Sequence, residues 1–162
     1  MRSRCSMSFG VVVAVLTLSG PVSQAQAQSA EETAVVEVVH DLFDGMREAD
    51  ADKIRGVFAE GARLGGLNRE GAVNYTSADD FAMRMGQAEE GSVDERVWDW
   101  EVRIDGNLAQ VWTKYDLTFN GEFSHCGIDA FQLFNTTDGW KIFHLADTRH
   151  TGPDCWRYPG ND

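Results

Sequence analysis

Three acid–base side chains lie on two segments of the chain that a tight turn joins. Asn120-Gly121 is typical of a two-residue hairpin loop, because both central positions of a type I′ turn need positive φ. In the register that this turn predicts, Asp116 lies opposite His125, and directly paired residues have Cβ atoms about 5 Å apart. A carboxylate that orients an imidazole is the arrangement of a general base. Asp129 follows His125 by four residues, about 13 Å along a strand, and is a separate candidate base.

The same register predicts which side chains surround these catalytic candidates. Trp112 is placed opposite Asp129, and Lys114 completes the polar part of the face. Phe131 and Leu133 continue that face, which favours a cavity that is polar at one end and apolar at the other. The predicted ligand-pocket residues are Trp112, Lys114, Phe131, Leu133, Tyr75 and Arg149.

A second orientation of the hairpin stays open. The opposite face carries Tyr115, Val111 and Ile128 and is more apolar, so by hydrophobicity alone it would cover the helices. His125 and Asp129 would then face water or another subunit. Each candidate also has a structural interpretation, in which Asp116 holds a structural histidine and Asp129 pairs with Lys114 or Arg149.

Four long antiparallel strands are predicted in the second half of the chain. Alternation of apolar and polar residues and turn signals place them at 93–105, 108–119, 122–135 and 140–150. In the first of these strands the even-numbered residues from Trp98 to Ile104 form the apolar face. Asp129 and the other candidates therefore belong to one sheet.

Helices precede these strands. Apolar residues at helical spacing predict a helix over 28–49, with Ser29 and Glu32 as a capping box. A short helix begins at Asp50 or Asp52, glycine-rich short strands occupy 60–76, and Ser77 opens a third helix that runs to about Ala88. This order predicts an α+β fold, with three helices packed on one face of a curved, mainly antiparallel sheet.

The first 27 residues read as a secretory signal peptide. Arg2 and Arg4 precede a largely apolar run at 9–18, and Ala25-Gln26-Ala27 is a cleavage signal. We expect cleavage after Ala27, or alternatively after Ala25, which leaves one domain over 28–162. The expected location is the periplasm or the extracellular medium.

The net charge of the mature chain limits the classes of partner that it is expected to bind. Without Arg2 and Arg4 the chain keeps 12 of its 14 basic residues against 26 acidic ones, a net charge of −14. Such a surface repels nucleic acid and anionic lipid, so neither is an expected partner. No metal-ligand spacing, phosphate loop or nucleophile elbow is present, so no metal and no cofactor is expected.

Two cysteines remain after cleavage. An even number of cysteines in an exported chain allows one disulfide, between Cys126 and Cys155. It would tie the C-terminal tail to the second strand of the hairpin. The alternative is two unpaired thiols.

The mature chain resembles the nuclear transport factor 2-like superfamily, a cone-shaped α+β fold. The run from His125 to Leu133, followed by 138–142 (Asp-Gly-Trp-Lys-Ile) and 147–149 (Asp-Thr-Arg), is similar to the exported "putative lumazine-binding" and SnoaL-like group. The resemblance implies a pocket between the helices and the concave sheet, and often a dimer through the other face of the sheet. It implies no lumazine site at particular residues.

Three functions are compatible with these features. The first, which we favour, is an exported domain that binds an unknown small molecule without chemistry. The second is an isomerase, cyclase or dehydratase that transfers protons through His125 and Asp116 or through Asp129. The third is a homodimeric structural or interaction protein.

Overall fold

A computed structural model describes residues 24–68 and 70–160 of the chain. Three helices pack on a six-stranded, curved sheet, as predicted. The elements in chain order are α1 (Gln24–Arg47), α2 (Ala51–Val57), β1 (Phe58–Leu67), β2 (Val73–Ser77), α3 (Ala78–Met85), β3 (Val93–Asp105), β4 (Leu108–Phe119), β5 (Glu122–Thr136) and β6 (Gly139–Asp147).

The sheet order is β2-β1-β6-β5-β4-β3, and every neighbouring pair is antiparallel except β1 and β6. The four long strands are consecutive and form hairpins with short loops, whereas β1 reaches β6 from the other end of the chain. Asn120 and Gly121 have φ values of 53° and 77°, so the predicted turn with positive φ joins β4 and β5.

Side-chain caps begin two of the helices at predicted residues. Asp50 accepts hydrogen bonds from the backbone N–H groups of Asp52 and Lys53 at 2.9 Å each. Ser77 accepts from the N–H of Asp80 at 3.1 Å. The predicted cap at Ser29 is wrong, because α1 begins at Gln24 and Ser29 lies inside it.

Two irregularities decide which side chains face the helices. In β4 and β5, Leu117 pairs with His125 but Thr118 pairs with Phe123, so Ser124 is an extra residue. In β3, the pairing passes from Trp98 to Glu101 while β4 advances by two residues, so β3 also contains an extra residue there, and Asp99 has φ 62°. Beyond each bulge, every side chain of that strand points to the face opposite to the one that regular alternation would give it.

The predicted apolar face of β3 is therefore wrong for Trp98. The bulge places Trp98 and Trp100 on opposite faces of the sheet. Trp100 packs against the core, whereas Trp98 contacts the Tyr158 ring with centroids 5.6 Å apart. The inner residues of β3 before the bulge are Val93, Glu95 and Val97.

The C-terminal segment 148–160, which we call the strap, begins beside β5, where His150 pairs with Cys126, and its residues 155–158 lie on the outer face of β4 and β5. A disulfide joins Cys126 to Cys155, as predicted, with Cα atoms 5.9 Å apart. The Trp156 indole N–H donates to the carbonyl of Tyr115 at 3.1 Å, and the Tyr158 backbone N–H donates to Asp116 at 2.9 Å. The strap thus covers the part of the outer face around Tyr115 and Asp116.

The core lies between the inner face of the sheet and the helices. Val39, Leu42 and Ile54 from the helices and Phe131, Leu133 and Ile142 from the sheet are fully buried. Of the helices in residues 24–68 and 70–160, none has the length and apolar character that a membrane crossing requires. The predicted signal peptide falls largely on residues 1–23, outside the described part of the chain.

Candidate functional site

A cavity of about 520 Å³ lies between the concave face of the sheet and helices α1 and α3. Its volume is within the range of small-molecule sites. One wall is apolar and comes from both helices and the start of β3: Leu42, Phe43, Met46, Phe81, Met85 and Val93. The opposite end is polar and comes from four strands and the strap: Glu95, Tyr115, His125, Asp129, Asp147 and Arg149.

The bulge at Ser124 brings Tyr115 and Asp129 to the same face of the sheet. In the observed register Leu117 pairs with His125, Tyr115 with Gly127 and Thr113 with Asp129. On the other side of β5, Asp129 pairs with Asp147. The sequence left open whether the apolar side chains of β4 or the polar side chains of β5 face the helices. The bulge places both sets on the same face of the sheet.

Gly127 allows the strap to approach this face. A Cβ atom there would collide with the Thr148 carbonyl oxygen and with the Tyr115 ring. The Tyr115 hydroxyl donates to the same Thr148 carbonyl at 2.8 Å. This contact fixes the strap where Arg149 enters the cavity.

Glu95 and Asp129 form a pair of buried carboxyl groups at the polar end. Their residues are 9% and 2% exposed. Burial raises the pKa of Glu95 to about 8, and a hydrogen bond from Asp129 lowers it less. Burial, and then the charge of Glu95, raises the pKa of Asp129 well above its usual range. The pair therefore holds at least one proton at neutral pH.

Asp129 is also incompletely bonded. Across the described residues, no hydrogen-bond partner is found for its Oδ2 atom, which is buried. The bond to Glu95 exists only while a carboxyl group is protonated. A buried carboxyl oxygen with no N–H donor is uncommon in folded proteins, so Asp129 is a candidate for binding a ligand or transferring a proton.

His125 lines the same cavity and is half-buried. Its Nδ1 atom is 2.9 Å from the Ser124 hydroxyl oxygen, and its ring meets the Tyr115 ring edge-on with centroids 5.6 Å apart. Burial, and then the positive charge of Arg149, lowers the pKa of His125. The imidazole is therefore neutral at pH 7.

Arg149 and Asp147 form an ion pair at the mouth of this polar end. The Arg149 Nε atom is 2.6 Å from a carboxylate oxygen of Asp147. Since each satisfies the other, neither is a bonded partner of Asp129.

Asp116 does not accompany His125, and the predicted hydrogen bond between them is wrong. The bulge shifts the register by one residue, so Asp116 pairs with Cys126 and points to the outer face. There it accepts two hydrogen bonds from the Arg96 guanidinium, at 3.0 and 2.9 Å, and one from the N–H of Tyr158. Asp116 is a structural carboxylate that anchors the strap.

Trp112 and Lys114 also lie on the outer face, away from the cavity, for the same reason. Trp112 is 44% exposed. The Lys114 ammonium is 2.6 Å from a carboxylate oxygen of Asp99 and so cannot pair with Asp129. Their prediction as pocket residues followed from the unbulged register.

Of the other residues predicted to line the pocket, some line the cavity and some do not. Phe131 and Leu133 do face the helices, but they are fully buried in the core and do not line the cavity. Tyr75 is 57% exposed, and its neighbours Asn74 and Thr76 line the cavity instead. Arg149 lines it, and of the predicted residues the structure brings together His125, Asp129 and Arg149.

Glu95 is the site residue that sequence reasoning missed. Its signal was the pattern Val93-x-Glu95-x-Val97, in which a carboxylate occupies an apolar phase of the strand. The apolar residues of this strand have odd numbers up to Val97 and even numbers from Trp100 onwards, and such a change indicates a bulge. Among the described residues, no group of three or more His, Cys, Asp and Glu side chains is arranged to hold a metal ion.

Comparison with known families gives one match. The sequence model of the family described as "Putative lumazine-binding" matches residues 30–144. These residues include Glu95, His125 and Asp129. No curated protein matches the chain.

Solved structures share the fold at low sequence identity. A nuclear transport factor 2-like protein of unknown function from Shewanella baltica is 17% identical, with a TM-score of 0.62 over 81% of this chain and 99% of that one. A protein from Novosphingobium aromaticivorans, described as nuclear transport factor 2-like with a cystatin-like fold, is 12% identical, with a TM-score of 0.64 over 83% and 95% of the chains. A protein from Streptomyces avermitilis described as a "putative dehydratase" of the same family is 14% identical, with a TM-score of 0.62 over 77% and 99%.

Proposed function

The chain belongs to the "Putative lumazine-binding" family of the nuclear transport factor 2-like superfamily, and we propose that it is an exported domain that holds a small, partly apolar molecule in its cavity. The observation that carries the proposal is the division of the cavity into an apolar wall and a polar end. An apolar wall supplies affinity through burial, whereas a few polar groups orient the ligand. The proposal at this level assigns no chemistry to the bound molecule.

Native mass spectrometry of the protein purified from its own host tests this function. We expect a co-purified mass, which should be lost from a Met85→Trp variant because the larger side chain fills the cavity that Met85 lines. Met83→Trp is the matched control, since Met83 lies on the same helix and is 50% exposed. An uncharged fluorescent probe, N-phenyl-1-naphthylamine, should follow the same pattern. Equal binding of this probe to both variants would overturn the proposal.

We propose export on the basis of the signal-peptide pattern in residues 1–27. The disulfide between Cys126 and Cys155 supports it, because such bonds persist in oxidising compartments. The intact mass of the protein from the periplasm or medium should correspond to a chain that begins at residue 28, or at 26 for the alternative cleavage. It should be two hydrogens below the reduced mass. Full-length chain in the cytoplasm alone would contradict the proposal.

A proton-transfer enzyme is a second candidate, which the Glu95–Asp129 pair specifically favours. A carboxyl group that holds a proton near neutral pH, beside a cavity, suits general acid–base catalysis of an isomerase, cyclase or dehydratase type. One structure with the same fold is described as a "putative dehydratase". Incubation of the co-purified molecule in D₂O should then show deuterium uptake or product formation. Asp129→Asn should abolish it, and unchanged turnover in that variant would exclude the pair.

We also propose self-association through the outer face of the sheet. Leu108, Trp112 and Phe134 lie there and are each more than 40% exposed. Neighbouring exposed apolar side chains favour a protein interface. Sedimentation should show a dimer that Trp112→Glu dissociates. A monomer at all concentrations would remove this proposal without affecting the cavity.

A further inference from the structure

We propose that the ligand carries a protonated nitrogen, an ammonium or amidinium group, which binds to the carboxyl groups of Asp129 and Glu95 at the polar end of the cavity. This inference rests on the proposed small-molecule function of the cavity. It assigns the ligand to the class of amphipathic amines.

Asp129 has an oxygen atom that no donor in the described residues reaches. Asp129 is 2% exposed, lines the cavity, and its Oδ2 atom has no hydrogen-bond partner within the described part of the chain. Leaving a buried acceptor unsatisfied is unfavourable, and more so for a carboxylate. A donor from a ligand in the cavity would remove that penalty. Glu95, buried beside it, offers a second acceptor to the same donor.

Among the residues that the structure describes, no Lys, Arg or His side chain forms an ion pair with Glu95 or Asp129. Arg149 is bound to Asp147 at 2.6 Å. Arg84 lines the cavity from α3, with its guanidinium carbon 5.9 Å from the centroid of the Phe81 ring. The remaining residues at the cavity from α1 are apolar. Buried carboxylates are ordinarily paired with a cation, and within residues 24–68 and 70–160 this pair lacks one, which a ligand could provide.

The charged groups around Glu95 and Asp129 make the electrostatic potential at the pair negative. Asp147 and Asp116 both disfavour ionisation of Glu95, and Arg149 only partly opposes them. His125 from β5 is neutral, and Tyr115 from β4 is un-ionised because burial raises its pKa. The whole chain carries a net charge of −12. This environment attracts a cation and repels an anion.

The apolar wall indicates the rest of the ligand. Phe43, Phe81 and Phe119 line the cavity, together with Tyr115 at its polar end. Aromatic faces bind both apolar groups and ammonium ions. An aryl or alkyl body with a terminal amine matches both ends of the cavity.

Binding then exchanges one cation for one proton. The ligand enters as R–NH₃⁺, the protonated pair releases H⁺ to solvent, and the ionised carboxylate stays with the ammonium, so charge and atoms balance. Because burial raises the pKa of both carboxyl groups, deprotonation opposes binding at low pH. Affinity should therefore rise up to roughly tenfold per pH unit for each proton released, until Glu95 is ionised near pH 8.

A charged and an uncharged probe of equal size test the inference. We would titrate the intact mature protein with 2-phenylethylamine and with 2-phenylethanol by calorimetry, between about pH 6 and pH 8, in two buffers of different ionisation enthalpy. The amine should bind at least tenfold tighter at the upper pH, with about one proton released per molecule. The alcohol should bind weakly with no proton release.

Variants locate the effect at the pair. Asp129→Asn and Glu95→Gln should each reduce the preference for the amine by tenfold or more. Both changes keep the size of the side chain and remove a buried ionisable group, so the variants should fold, as thermal denaturation will check. Glu101→Gln is the matched control, because Glu101 lies on the same strand, is exposed, and faces away from the cavity. It should bind the amine like the parent protein.

Four results would overturn the inference. They are absence of amine binding, equal affinity for alcohol and amine, amine binding without proton release, and an unchanged preference in Asp129→Asn. If N-phenyl-1-naphthylamine still binds and Met85→Trp still blocks it, the proposed cavity function stands while the cation site falls. If that probe also fails to distinguish Met85→Trp from Met83→Trp, both fall.

Discussion

Asp116 and Asp129 lie on adjacent strands of one sheet, both almost fully buried, yet they have opposite surroundings. Asp116 is 0% exposed and accepts two bonds from Arg96 and one from the Tyr158 N–H. Asp129 is 2% exposed and its Oδ2 atom has no partner in the described residues. Burial is the same for both, and only the supply of donors differs.

The two faces of the sheet explain the difference. On the outer face the strap closes over β4 and β5 and delivers a backbone N–H to Asp116, while Arg96 on β3 delivers a guanidinium. On the inner face the helices stand away from the sheet and leave a cavity beside Asp129. A buried carboxylate whose oxygens accept hydrogen bonds has a structural role. A buried carboxyl group that lacks such bonds and lies beside a cavity is a candidate site for a ligand or a reaction.

The largest effect that this comparison predicts is on folding. Asp116→Asn should destabilise the protein by about 3–5 kcal/mol, because it leaves the largely buried Arg96 guanidinium without its counter-charge. Asp129→Asn should be neutral or stabilising at pH 7, because it removes a group that resists ionisation. Urea denaturation of both variants measures the difference. Equal destabilisation would show that the two aspartates are not distinct in role.

Removing the disulfide tests the contribution of the strap to the outer face. The bond closes a loop with a sequence separation of 29. Replacing both Cys126 and Cys155 by alanine should lower the free energy of unfolding by about 3–4 kcal/mol. Asp116→Asn should then cost less than in the parent, because the strap that delivers the Tyr158 N–H is no longer anchored. Full additivity of the two changes in a double-mutant cycle would contradict this coupling.

The pH dependence of stability tests the inner face. The pKa of Glu95 rises from 4.5 in the unfolded chain to about 8 in the fold. Because the folded state holds the proton more tightly, its stabilising contribution is complete below about pH 4.5 and is lost as the pH rises to about 8. The slope in that window should be about 1.4 kcal/mol per pH unit for each such group.

Denaturation at several pH values measures that slope. Glu95→Gln should flatten it, and Asp129→Asn should flatten it too, since the pKa of Asp129 is also raised. Glu101→Gln should leave it unchanged because Glu101 is exposed. A protein whose stability increases steadily over this pH range would disprove that the pair holds a proton at neutral pH.

The smallest expected effect concerns His125, which lies near the inner pair. Burial is the main cause of its lowered pKa and the charge of Arg149 is the next. Arg149→Met should therefore raise the pKa of His125 in an NMR titration. Asp116→Asn should leave it in place, because Asp116 lies on the other face. If Asp116→Asn changed the pKa of His125 and Arg149→Met did not, the register without the bulge would be the correct one.

Local patterns were sufficient for most of the fold. Asp50 and Ser77 cap helices at the predicted positions, and the Asn120-Gly121 turn forms between strands whose bounds match the alternation. Each of these features depends on contacts within a few residues. The prediction failed at Ser29, where the helix continues towards the N-terminus beyond the capping signal.

The composition of the site was predicted only in part. His125, Asp129 and Arg149 are at the cavity, whereas Asp116, Trp112 and Lys114 are on the other face. The error has one cause, an extra residue at Ser124, which turns every later position of β5 relative to β4.

The sequence by itself determined the order of helices and strands, the turn with positive φ and the pair of cysteines, because neighbouring residues decide these. Only the tertiary structure decided which carboxylate received a guanidinium and which met Glu95, 34 positions before it in the chain. A bulge is one residue long, and its position depends on the pairing of whole strands rather than on local preference. The side of the sheet that a charge occupies, and hence its chemistry, follows from that pairing.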